Sequence, residues 1–338
     1  QWNWRINSPF TAIQYNTVQG VFPYLTSTFH KDLDENWYKW IEINGTGVYG
    51  FGDKQVRGNL RFDYHVNETK FTQFGIEGGR MAAQFNEEEP IKEIQNTIAA
   101  LFYRRSWVKL YDKKYLRLKA ESELFNGFFV KGFAEYARRN SLVNTTDYSF
   151  FFKDRIYTSN DPQRPQTYGE PSFAAHDAVT VGLDLRIRIK QEYYSYPKRK
   201  IISESKYPDI LVAYRRGIPA LGGDTNFDFV SFALRDDDIR IGRAGYSKFN
   251  VETGLFLSKK DLSFVDFHHF NGNQVGVTFF SQYMDQFRML PYYDFSTDKP
   301  YFKTHWEHHF DGSALGKISL IRKLQWELVT GTNYLYSD

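Results

Sequence analysis

The chain of 338 residues contains no cysteine. That excludes a disulfide framework, a thiolate metal site and a cysteine nucleophile, and it leaves the redox compartment open, an oxidising one included. Long hydrophobic runs are also missing: nothing approaches the roughly 20 consecutive apolar residues of a membrane-spanning helix, and mean hydropathy is −0.55. Any passage through a bilayer must therefore be made by strands closed into a barrel. Net charge is small, 43 basic against 40 acidic residues for a balance of +3, so no global field draws the chain to nucleic acid. The opening Gln1-Trp2-Asn3-Trp4 lacks an initiator methionine, a basic stretch and an apolar core, which predicts a signal peptide already removed. A Gly-x-Ser-x-Gly elbow is absent, and carboxylates are too numerous for a pair to be chosen by spacing. The reading assigns no catalytic residue and expects no enzyme.

What is abundant is aromatic: 31 Phe, 24 Tyr and 7 Trp, 18% of the chain. These residues lie in segments that alternate apolar and charged. Between Val179 and Lys190 one side of a strand is aliphatic (Val179, Val181, Leu183, Leu185, Ile187, Ile189) and the other carries Asp184, Arg186, Arg188 and Lys190; a period of two means a β-strand. Ile41, Ile43, Gly45, Gly47 and Tyr49 repeat the scheme, as do Leu60, Phe62 and Tyr64 after a Gly52-Asp53-Lys54 turn, which predicts a hairpin. Leu116 and Leu118, then Phe249 to Leu257, then Val275, Val277 and Phe279, then Leu324, Trp326 and Leu328 continue it. Composition does not shift along the chain, so residues 1–338 read as one domain.

Several segments reach about ten residues, near the roughly 9–11 that cross a bilayer at a tilt. The reading favours an antiparallel transmembrane β-barrel over a soluble sandwich. Val179, Val181, Leu183, Leu185, Ile187 and Ile189 then face lipid, and Asp184, Arg186, Arg188 and Lys190 face a wet lumen. Trp37, Tyr38, Trp107, Tyr292 and Tyr293 near strand ends become interfacial anchors.

One stretch differs. After Glu87-Glu88-Glu89-Pro90, the residues Ile91, Ile94, Ile98 and Leu101 recur at spacings of three and four, which predicts a short amphipathic helix with Pro90 in its first turn. It could plug a lumen, lie in the membrane interface, cap a barrel end or cover a sheet edge. Asp161 to Pro171 reads as a long loop, Asp236-Asp237-Asp238 as a solvated acidic loop, and Pro197-Lys198-Arg199-Lys200 as an exposed basic tip. Gly45-Thr46-Gly47-Val48-Tyr49-Gly50 matches a dinucleotide fingerprint, but no helix follows to receive a pyrophosphate. Asn44, Asn67 and Asn144 begin glycosylation sequons of which two fall in predicted strands. His305 and His309 share one face of a strand and His308 takes the other, so the segment offers at most two local metal ligands. Structural hydrogen bonding is the ordinary alternative, and no cofactor is expected.

Asp266-Phe267-His268-His269-Phe270-Asn271-Gly272-Asn273, Leu290-Pro291-Tyr292-Tyr293, His305-Trp306-Glu307-His308-His309-Phe310-Asp311-Gly312 and Leu320-Ile321-Arg322-Lys323-Leu324 follow one another in order. With Tyr15-Asn16-Thr17-Val18-Gln19-Gly20 near the front, they resemble a family of Bacteroidota proteins that carries a label of unknown function. Its members join an amino-terminal carboxypeptidase-regulatory-like domain to a barrel similar to the BamA-type surface-antigen barrels. The resemblance implies sixteen strands when complete, a regulatory domain ahead of the chain and a closing strand after it, and so truncation at both ends. It also implies the outer membrane of a Gram-negative bacterium, with lipid, lipopolysaccharide and other envelope proteins as partners. The expected function is non-enzymatic, a component of an outer-membrane assembly or export machine; a solute pore with a charged lumen and a purely structural barrel are the alternatives.

Overall fold

The computed structural model describes residues 2–8, 12–34, 38–203, 205–274, 284–315, 318, 323–324 and 326–337. The first half contributes β1 (Trp2–Ile6), β2 (Ile13–Asn16), β3 (Gly20–Asp32), β4 (Trp40–Gly50), β5 (Gln55–Asn67) and β6 (Thr72–Gln84), then helix α1 (Glu93–Tyr103), β7 (Leu110–Phe125) and β8 (Phe128–Ser141). The second contributes β9 (His176–Arg188), β10 (Tyr193–Ser195), β11 (Lys200–Ile202), β12 (Asp209–Gly217), β13 (Asn226–Arg240), β14 (Tyr246–Asp261), β15 (Tyr301–His309) and β16 (Val329–Ser337).

Fourteen of these strands form one antiparallel sheet in which sequence neighbours pair, from β1 and β2 on β3 through to β16; only the β10–β11 hairpin stands outside it, between β9 and β12. An antiparallel meander needs nothing longer than turns between its strands. The chain uses such turns at one end, as in the Gly52-Asp53-Lys54 turn between β4 and β5 with Lys54 at a φ of 55°. At the same end it makes three long connections, residues 85–109 between β6 and β7, 142–175 between β8 and β9, and 262–300 between β14 and β15, of which 85–109 and 262–300 are the first and second insertions. No ladder joins β1 to β16 among the described residues.

The two faces of the sheet differ as the alternation predicts. On the outer face Leu60, Phe74, Leu116, Leu118, Leu257 and Tyr334 are exposed. On the inner face Arg57, Asp63, Glu135, Arg139 and Thr180 are buried. Absent side chains make room there. A Cβ on Gly75 would lie 2.1 Å from Lys119 Cε; without one, the lysine crosses β6 and meets Asp63 on β5 at 2.7 Å. Gly182 likewise lies under the Phe133 ring.

Both insertions fold against the inner face. Phe85 and Val265 join Tyr111 in one apolar cluster, and Phe270 and Phe287 join Phe227, Phe229 and Tyr301 in another. Asn86 donates to Asn271 Oδ1 at 2.8 Å, so the insertions also touch each other.

Several expectations need correction. Helix α1 starts at Glu93, not at Pro90, with the Lys92 amide donating to Gln95 Oε1. Its buried side is Gln95, Asn96, Ala99 and Ala100, whereas Ile94 and Ile98 are exposed; apolar periodicity identified the helix but not the face that packs. One side of it covers the sheet edge: the Tyr15 amide on β2 donates to Thr97 Oγ1 at 2.9 Å. Asp236 to Asp238 lie within β13 at a register shift, not in a loop. Lys200, one residue of the basic tip, is buried against Glu123 and Asn126. The last strand starts at Val329, so Trp326 and Leu328 precede it. Val275, Val277 and Phe279 lie outside the described residues.

Candidate functional site

Among the described residues the inner face carries a connected set of paired charges. Glu135 on β8 accepts Lys113 at 2.8 Å and Arg117 at 2.6 Å, both from β7. Arg117 also reaches Glu87 on the first insertion at 3.3 Å, and Arg215 on β12 approaches the same carboxylate at 3.6 Å. Burial alone would raise the Glu87 carboxyl; Arg215, Lys113, Arg117 and Arg139 overcome it and hold the group at about 2. Glu87 is therefore an anion at every physiological pH, tying the insertion to strands that lie three places apart in the sheet.

The second insertion is held in the same way. Asp266 meets Arg139 at 2.7 Å with both side chains buried. Asp285 accepts Arg235 at 3.0 Å, and Arg288 reaches Glu307 at 3.3 Å. Asn271 donates to Glu88 and to the Asp285 carbonyl. His268 stacks on Tyr301 at 4.1 Å between ring centroids, and burial holds its imidazole well below the usual range, with Lys303, Arg215 and His269 adding to the effect. His269 bonds Ser296 Oγ at 2.7 Å and is pushed by burial to about 4. Both rings are thus neutral at pH 7 and serve as packing and hydrogen-bonding groups.

Cavities remain beside the insertions. One, of about 680 Å³, is lined by Glu121, Lys131, Asp184, Arg186, Arg215 and His268 among others; a second, of about 390 Å³, is lined by Lys92, Arg235, Asn250, Asp285 and Lys303. Glu88, Leu211 and Glu252 border both. Walls carrying both signs of charge suit water and a small polar solute better than an apolar ligand.

The residues expected to face a lumen divide. Asp184 and Arg186 line the larger cavity, and Arg188 is held by Asp209 at 2.9 Å. Lys190 lies past the end of β9 in a turn at a φ of 53°, beside Ile189, so neither belongs to the strand. Val179, Val181, Leu183, Leu185 and Ile187 alternate with them on the outer face of β9. Of the aromatic anchors, Tyr38 lies in the β3–β4 connection and Trp37 lies outside the described residues. Trp107, Tyr292 and Tyr293 are not at an outer rim: Tyr292 joins Ile91, Val108 and Leu110 in a buried cluster with Trp107 against it, and Tyr293 packs on Phe85. They belong to insertions that turn inward, which strand-end position alone does not reveal.

His305 and His309 share a face as the alternation predicts. His305 is buried against Phe287 and bonds Asn333, while His309 stacks on Tyr246 and contacts Glu307 and Glu327. Among the described residues no three His, Asp or Glu side chains are grouped to hold a metal ion. Gly45 and Gly47 sit in mid-strand on β4 with no helix after them.

Sequence reasoning missed Glu87, Glu88, Arg215, Glu252, Asn271 and Asp285 as one assembly. Asn86 and Asn271 are 185 residues apart, and no local pattern relates them. The run Asn271-Gly272-Asn273 within an apolar stretch was the available signal. No curated protein matches the chain. A family model covers all of it, residues 1–338. With a continuous meander, a charged inner face and that match, the chain belongs to the family of unknown function DUF5686, as its C-terminal domain.

Proposed function

We propose that the chain is an outer-membrane β-barrel of a Gram-negative bacterium, a non-enzymatic component of an assembly or export machine. One observation carries the reading: the outer face of the sheet is apolar along strands of 9 to 16 residues, while the inner face holds paired charge and two folded insertions. A soluble sandwich would do the reverse and bury its apolar face. No helix among the described residues is long and apolar enough to cross a membrane, so any crossing falls to these strands. Lipid and lipopolysaccharide are then the surroundings of the wall, and other envelope proteins its partners. The machine assignment rests on analogy with BamA-type barrels.

The filled interior counts against a steadily open pore. Glu87 and Asp266 anchor the insertions across the space a solute would use, so planar bilayers containing the purified chain should stay near baseline conductance. Other envelope proteins should co-purify with it from native membranes. A large, steady conductance without such partners would replace the machine by a solute pore. The barrel itself is tested by cysteine placement: thiols at Val181 and Leu185 should resist a membrane-impermeant reagent in vesicles, and free reaction there would overturn it.

A further inference from the structure

Beside β2, at the end of the sheet, α1 and the loop next to it build a second apolar surface. Ile94, Ile98 and Phe102 repeat along the helix side turned away from β2, each at least a third exposed. Phe150, Phe151 and Phe152 extend the surface, and Ile156 projects from it with 75% exposure. Phe102 packs on Phe150 and Phe151 at 5.5 and 6.0 Å between centroids, so the patch is continuous. It is also rigid. The Phe150 amide donates to the Leu101 carbonyl at 2.8 Å, Tyr157 Oη to the Ala100 carbonyl at 2.7 Å, and Arg155 to the Tyr103 carbonyl at 3.1 Å.

Cations rim this surface. Arg104 is taken up by Asp147 at 3.4 Å and is only 11% exposed, which leaves Arg105, Lys153 and Arg155 against Asp154, three charges against one. Arg155 lies over the Phe152 ring at 4.0 Å, leaving its charge at the edge of the aromatic group. Projecting apolar side chains within a ring of Arg and Lys match a lipid interface, where rings enter the acyl boundary and cations meet phosphates. None of these side chains lines the cavities described above.

We infer that α1 and residues 148–156 form an interfacial platform that rests on a lipid leaflet with anionic, phosphate-bearing headgroups, beside the strand wall. The inference rests on the barrel reading, because it needs a bilayer next to the wall. The chain has no native cysteine, so single labels report cleanly. The full chain is reconstituted in phosphatidylcholine vesicles, with or without phosphatidylglycerol, carrying bimane either at Phe151→Cys or at Leu118→Cys on the outer face of β7. Brominated lipids should quench both labels, and Lys153→Glu or Arg155→Glu should shift the docked-to-undocked ratio at Phe151 about fivefold each when phosphatidylglycerol is present. Quenching at Leu118 by bromolipid with quenching at Phe151 only by aqueous iodide would overturn the platform, free it for a protein partner and leave the barrel standing. Iodide quenching at both positions would overturn the barrel and the platform together. Lipid quenching at Phe151 that ignores phosphatidylglycerol and both charge reversals would overturn the headgroup assignment.

Discussion

Arg139–Asp266 and Arg240–Asp238 are the same chemical pair at similar separation, 2.7 and 3.0 Å, in opposite surroundings. The first has side chains 3% and 4% exposed and joins β8 to the second insertion; the second, at 66% and 55%, lies at the end of β13. Water already solvates the outer pair, so the contact adds little. Inside, each charge has surrendered its hydration and depends on the other. Distance therefore says little about what a pair does for the fold, and enclosure says most of it.

The strongest way to break that contrast is Asp266→Ala, which strands Arg139 and should cost about 3–5 kcal/mol, read from the urea midpoint of the chain folded in micelles. A double change, Arg139→Met with Asp266→Leu, should recover most of it. If Asp266→Ala lowers stability no more than an exposed substitution, the contrast is gone.

Glu93 supplies a buried carboxyl with no cation to answer it. Burial, with Glu89 adding to it, raises the group from 4.5 to about 7, and Glu93 Oε2 has no hydrogen-bond partner. The folded state then holds a proton that the unfolded chain releases, so stability falls as pH rises from about 4.5 to 7 and is level above. The change is on the order of 2–3 kcal/mol. Glu93→Gln should remove this slope from unfolding curves taken across the window, and an unchanged slope would assign it elsewhere. Lys109 is the cationic counterpart, pushed by burial to about 7 against the pull of Asp161.

Gly75→Val should separate Lys119 from Asp63 by filling the space the lysine crosses, at about 1–3 kcal/mol, and Gly75→Ala should do so in smaller measure. Asp238→Ala is the smallest, within about 0.5 kcal/mol, and its loss should vanish in high salt.

The strand wall was legible because alternation is a local property: Leu116 and Leu118 opposite Arg117 and Lys119 can be read from four consecutive residues. Helix α1 was legible as a helix for the same reason. Its packing face was not, since the period of Ile91, Ile94 and Ile98 records where apolar groups are, and here the neighbours are Tyr15 and Tyr157, which seat Ala100 and leave Ile94 and Ile98 outside. Tyr292 and Tyr293 misled in a related way. An aromatic residue near a strand end suits a membrane rim or an inward insertion equally, and only tertiary contacts with Phe85 and Val108 separate the two. The polar interior was the least legible, because the pairs that hold its insertions, Arg139 with Asp266 and Asn86 with Asn271, lie more than a hundred positions apart.

Those long separations carry a consequence for the order of events in folding. Arg139 leaves the ribosome 127 residues ahead of Asp266, and Asn86 waits still longer for Asn271. Until residues 262–300 arrive, Arg139 on β8 lacks Asp266, although Glu135 already holds Lys113 and Arg117. Closure of so many distant contacts is slow, and the chain passes that interval with its outer apolar stripes unprotected and ready to aggregate. On the outer-membrane reading, the placement of one insertion late in the sequence therefore calls for a holding chaperone or prompt delivery to the membrane.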